Sequence, residues 1–181
     1  MSINFTQIVA SLARPADSTA YATGDAIANS GTASAVVPLT FTLPRGEGRL
    51  TGCRAVVAPA SGNLVITALD FDLLLFRPES GIPFAAGSYI ADNAQMSISA
   101  AALRELVGVF SFAAGAWRNP LGALTAGAAG WQAVAPSGRA QGYPFRVPET
   151  SRYLLGVLQA KGSWTPTGVA NTITLALDME A

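Results

Sequence analysis

The chain has 181 residues, half of them hydrophobic and only 12% charged, with a formal net charge of zero. It has no histidine and a single cysteine, so it lacks the commonest general base, the commonest transition-metal ligand, an intrachain disulfide and a zinc cluster. Ten arginines and Lys161 balance the acids without forming a basic run, which argues against general binding of nucleic acid or of anionic membranes.

The opening stretch MSINFTQIVASLARPADS has neither a basic start nor a long apolar run. No signal peptide is expected, and no segment reads as a membrane span. Residence in the cytoplasm until the protein is used follows as an expectation. Residues 1–20 read as an N-terminal arm, and 21–181 as a single β-sandwich domain.

Strand signals dominate the chain, beginning with the short apolar-polar mix of residues 3–9. Residues 35–43, AVVPLTFTL, are rich in β-branched residues, and 49–58, RLTGCRAVVA, read as another strand. PRGEG between them has the length and glycine content of a hairpin turn. Gly46 and Gly48 do not make a phosphate loop, because a strand follows them and the lysine is missing. Cys53 reads as a small buried hydrophobe.

Residues 64–76 are the longest strand candidate. Period two puts Leu69, Phe71, Leu73 and Leu75 on an apolar face, and Asp70, Asp72, Leu74 and Phe76 on a mixed one. One greasy face and one mixed face suit an antiparallel sheet of a sandwich. Residues 77–95 read as a loop. Ser97 and Ser99 are candidate caps for one short helix near 99–105, and LVGVFSF (106–112) is a strand.

Residues 113–142 are an Ala/Gly-rich insertion without a sustained period, with Trp117 and Trp131 as isolated large side chains. It is a surface loop, a segment that orders against a neighbouring subunit with its tryptophans as anchors, or a stretch with a hairpin inside it. Strands at 143–147, 152–160 and 171–180 close the chain. The expected fold class is all-β: an antiparallel two-sheet sandwich, jelly-roll-like, with one short helix.

Asp70 and Asp72 admit three readings. A glycosidase pair fits the separation of about 7 Å along a strand, but such acids usually come from different elements. A calcium site would need Asp92 and loop carbonyls as well, and no calcium-loop motif is present. The third reading makes them solvent-facing or interface-facing positions, paired with arginines such as Arg54 across strands or subunits. This last reading is preferred. No catalytic, cofactor-binding or metal-binding residue is assigned, and no enzyme activity is expected. The candidate interface residues are Trp117, Trp131, Asp70, Asp72 and Arg54.

Several phrases taken together resemble a known group: RPADSTAYATGDAIANS (14–30), RGEGRLTG (45–52), LDFDLLLFRPE (69–79), ADNAQM (91–96), LVGVFSF (106–112) and RYLLGVLQAKGSWTPTG (152–168). Their order resembles small tailed-bacteriophage virion proteins, some of which look like capsid decoration (cement) proteins. The matching phrases are turns and strands rather than catalytic signatures, and 113–142 matches nothing. The resemblance implies a symmetric homo-oligomer, often a trimer, that binds the major capsid protein on the outer surface of the head. Two alternatives stand beside it: a tail or head-fibre component, and a carbohydrate-binding module using Trp117, Trp131, Trp164 and Tyr143 as stacking surfaces. The oily composition agrees with outer surface buried against other chains.

Overall fold

The structure is a computed structural model that describes residues 5–59, 69–78, 90–117, 131–136, 142–166, 168 and 170–180. Its strands are β1 (Phe5–Arg14), β2 (Ala26–Ile27), β3 (Leu39–Thr42), β4 (Glu47–Pro59), β5 (Phe71–Phe76), β6 (Leu106–Phe112), β7 (Trp131–Pro136), β8 (Tyr143–Arg146), β9 (Tyr153–Ala160) and β10 (Asn171–Glu180). Among the described residues one α-helix, α1 (Ala100–Leu103), starts at Ser99, whose hydroxyl accepts the Ala102 N–H at 3.1 Å.

Two antiparallel sheets form. The first runs β1-β10-β4-β7, with β8 also paired to β4; the second runs β2-β9-β5-β6, with β3 also paired to β9. Because β2 and β3 share β9, and β7 and β8 share β4, each pair counts as one broken strand. The ten strands then reduce to eight, and they pair first with eighth, second with seventh, third with sixth and fourth with fifth. That nesting is a long antiparallel ribbon rolled on itself, the jelly roll of two Greek keys. The expected sandwich is therefore the one observed.

The core is the inner faces of both sheets. Alternation sets it: Ile173, Leu175, Leu177 and Met179 of β10 are buried, as are Leu50, Cys53, Ala55 and Val57 of β4. From the second sheet come Phe41, Phe71, Leu73, Leu75, Phe110 and Leu154, all fully buried. The face assignment of β5 holds for Phe71, Leu73 and Leu75; Leu74 and Phe76 are buried as well.

Three expectations change. Residues 5–14 are no arm: all ten pair with β10, from Phe5 opposite Glu180 to Arg14 opposite Asn171. PRGEG is no hairpin turn, since β3 joins the second sheet and β4 the first, so the turn crosses between layers. Gly48 serves that crossing: a Cβ there would sit 2.8 Å from the Glu180 carbonyl oxygen. Within 113–142, β7 pairs with β4 and Trp131 lies opposite Val57. The rest of the insertion beyond Trp117 lies outside the described residues up to Gly142 apart from β7, as do residues 64–68.

Candidate functional site

The two aspartates that stand out in the sequence sit at the start of β5. Asp72 lies between Ser111 and Gln159 on the outer face of the second sheet. Its Oδ1 is 3.6 Å from Lys161 Nζ, an ion pair longer than a hydrogen bond. Asp70 precedes the strand, and its carbonyl accepts the Lys161 N–H at 2.9 Å. The loop after β9 thus folds over both residues, and among the described residues Lys161 supplies the nearby positive charge.

Arg54 is a correction to the cross-strand pairing. It is exposed on the other sheet, with Ala176 and Val134 as cross-strand neighbours. The sandwich core separates it from Asp72, so within one chain the two cannot meet.

Trp117 is likewise not a surface anchor in this chain. It is 5% exposed, and its indole N–H donates to the Leu69 carbonyl at 2.6 Å. Its ring lies 5.9 Å from Phe71 and 6.3 Å from Phe112. An amphipathic ring with its N–H satisfied inside is a core residue. The side chain of Trp131 lies outside the described residues. Tyr143 is buried, with its hydroxyl donating to the Val109 carbonyl at 2.8 Å. Trp164 stacks on the buried Tyr21 at 4.5 Å. Trp117 and Tyr143 therefore offer no face on which a sugar ring could stack.

The densest polar chemistry is elsewhere. Arg14 ends β1 with its side chain pointing inward, 1% exposed. Its guanidinium donates to Asp17 Oδ2 at 3.1 Å and to the Asp17 carbonyl at 3.2 Å. It also faces Asp92 Oδ2 at 3.8 Å. Asp92 Oδ1 accepts the Tyr21 hydroxyl and the Ala28 N–H, each at 2.7 Å. Asn93, at φ 61°, makes the tight turn that aims Asp92 inward. Burial pushes the Asp92 carboxyl above the usual carboxylate range, against the pull of those hydrogen bonds and of Arg14. Burial and the Asp92 charge push the Tyr21 hydroxyl up too.

This cluster ties β1, the loop before β2 and the loop before α1 into one knot. Asp92 was a candidate calcium ligand; its charge is instead answered by Arg14. No group of three or more acids or cysteines that would hold a metal occurs among the described residues. The sequence signal for the knot is thin: Arg14 before Pro15 with Asp17 three residues on, and an Asp-Asn turn far along the chain.

A second feature escapes sequence reading. A cavity of about 140 Å³ opens between β2, β3 and β9 on one side and residues 90–102 on the other. Leu12, Ile27, Leu39, Ile98, Val157 and Leu158 are among its walls, and no charged side chain among the described residues lines it.

No protein-family model matches this chain, and no curated protein matches it. Among solved structures it is similar to a chain of the cyanophage Pam1 capsid asymmetric unit: 14% identity, TM-score 0.34, with 99% of this chain and 86% of that chain covered. It is also similar to a chain of mud crab tombus-like virus, at 12% identity and TM-score 0.32, covering 99% of this chain and 80% of that one. At such TM-scores neither likeness carries an argument about this chain.

Proposed function

We propose that this chain is a non-enzymatic virion structural protein, of the kind that decorates a phage head from outside and holds neighbouring major capsid proteins together. The observation that carries this reading is the nested strand order. That winding serves viral capsid domains, lectin domains and cupins. Fold alone does not assign a role, so the side chains have to discriminate.

They favour the first. The chain has no histidine with which to build an imidazole metal centre. Trp117 and Tyr143 are committed to the core. By contrast Phe5, Val9, Val37 and Leu103 are large apolar residues left exposed, at 72%, 54%, 64% and 49%. Exposed apolar groups on a chain of low charge suit contact with other proteins. The phrases shared with tailed-phage virion proteins point the same way. Binding only the assembled shell would stabilise it by mass action, with a small gain at each of many copies.

The test is mass spectrometry of particles of the phage whose genome encodes this chain, with purified protein added back to heads that lack it. A copy number comparable to that of the major capsid protein, with rebinding to the heads, supports decoration. Far fewer copies, located on the tail or a fibre, would move the assignment there. Absence from the particle overturns the reading.

A further inference from the structure

The first sheet ends in a strand that is bonded along one side only. β1 pairs with β10 from Phe5 to Arg14 with no shift of register, and among the described residues no main-chain group bonds its other side. Alternate residues of a strand turn their N–H and C=O to the same side. About five of the ten residues of β1 therefore present both groups, unpaired, along the edge. The chemistry of such an edge fixes what it accepts: another extended strand.

Edge strands are normally guarded by shortness, proline, bulges or charge. The other edges of this sandwich carry such guards. β2 and β3 have two and four residues, and Pro38 precedes β3. Pro136 ends β7, and Pro144 lies within β8. β6 carries an extra residue, Val107, where its pairing with β5 shifts. β1 has none of these: it is ten residues long, and residues 5–13 include no proline and no charged side chain. Phe5, Gln7, Val9, Ser11 and Ala13 are exposed along its outer face. Phe5 and Val9 are two of the four large hydrophobic residues left exposed among those described.

We propose that β1 pairs antiparallel with β1 of a second copy across a two-fold axis at Val9, joining the first sheets of two chains into one. The residues of β1 suit that register. Val9 meets Val9, Gln7 meets Ser11, and the large Phe5 meets the small Ala13. Like charges placed opposite each other would oppose the pairing, and residues 5–13 bring none. About five edge residues from each chain give about ten main-chain hydrogen bonds, the number a typical specific interface carries. The contact uses the same patch on both chains, so it closes at two copies. It goes beyond the virion reading, because it holds for the free protein wherever that protein acts.

The experiment measures solution mass by light scattering across a dilution series. It compares wild type, Val9→Lys, Val9→Asp and, as a control on another exposed apolar residue, Val37→Lys. Each is verified as folded by circular dichroism and thermal midpoint. Val9 and Val37 are 54% and 64% exposed, so these changes leave the core intact. The wild type should have twice the chain mass. Val9→Lys and Val9→Asp each set like charges against each other at the axis and should weaken the pair at least about tenfold. Mixed together, these two variants should pair again, lysine opposite aspartate. Val37→Lys should pair as the wild type does.

A monomeric wild type, a dimer that Val9→Lys leaves intact, a dimer that Val37→Lys weakens equally, or a mixture that fails to pair would each overturn the proposal. A monomer that binds phage heads, and loses that binding in Val9→Lys, would give the edge to a strand of another protein and overturn self-pairing. Absence of the chain from virions would overturn the virion reading and leave the pairing standing.

Discussion

The ring of Tyr143 occupies the space where any side chain on Gly108 would have to go. A Cβ at Gly108 would lie 2.5 Å from Tyr143 Cγ, and the tyrosine hydroxyl donates to the carbonyl of the next residue, Val109. Tyr143 belongs to the first sheet and Gly108 to the second, so this contact locks the sheets together at one edge of the sandwich. Gly108→Ala should destabilise the protein by about 1–3 kcal/mol through overpacking. Tyr143→Phe, which keeps the ring and loses one hydrogen bond, should cost about 1 kcal/mol. Urea denaturation of the two variants checks the order.

The knot around Arg14 should be sensitive to loss of the Asp92 side chain. Asp92→Ala leaves the buried guanidinium with Asp17 as its carboxylate partner and strips the Tyr21 hydroxyl and Ala28 N–H of their acceptor. A loss of about 3 kcal/mol is expected, typical of a buried pair broken from one side. Equal stability of Asp92→Ala and wild type in denaturant melts would refute the role given to the pair.

Asp92 also imposes a pH dependence. Its folded carboxyl titrates above the ordinary range, so the native state holds this proton more tightly than the unfolded chain does. Its contribution to stability is therefore full below the ordinary carboxylate pKa and is lost as pH rises through the raised one. Comparing wild type with Asp92→Asn across acidic to neutral pH isolates it. The wild type should lose stability relative to the variant as pH rises through that window, and a constant difference would contradict the assignment.

Cys53 is fully buried, and burial together with the Asp178 charge pushes its thiol well above the usual range. The thiol should resist alkylating reagents in the native protein and react at once in denaturant. Rapid native labelling would show that β4 opens.

The Asp72–Lys161 pair should matter little. Its side chains are 20% and 40% exposed, and such pairs contribute about 0–1 kcal/mol. Lys161→Gln should leave the thermal midpoint nearly unchanged.

What could be read from the sequence follows a physical division. β9 and β10 alternate cleanly because one face is core and the other is not, and period two displays that without knowledge of the partner strand. Ser99 announced α1 because a cap is a local device. The role of β1 was hidden because its partner is the last strand, and nothing near Phe5 records what lies beside it. PRGEG misled for the same reason: a glycine-rich turn of hairpin length is equally suited to crossing between layers, and Gly48 is required by a carbonyl contributed by Glu180. The buried state of Arg14 depends on Asp92, far along the chain. Trp117 sits in an Ala/Gly-rich stretch with no pattern of its own, while the rings it packs on belong to β5 and β6.

The pairing of β1 with β10 has a consequence for synthesis. A ribosome delivers β1 well before its sheet partner β10, so Phe5–Arg14 leaves the tunnel ahead of the strand it bonds to. The nested order also gives winding a direction. β5 and β6, the innermost pair, have the shortest segment to close, and each later pair closes on the one before. β1 completes the roll, and such non-local sandwiches fold on the order of milliseconds to seconds. Until then an unpaired edge is open to other nascent chains. Rapid synthesis of many copies at once would sharpen that hazard.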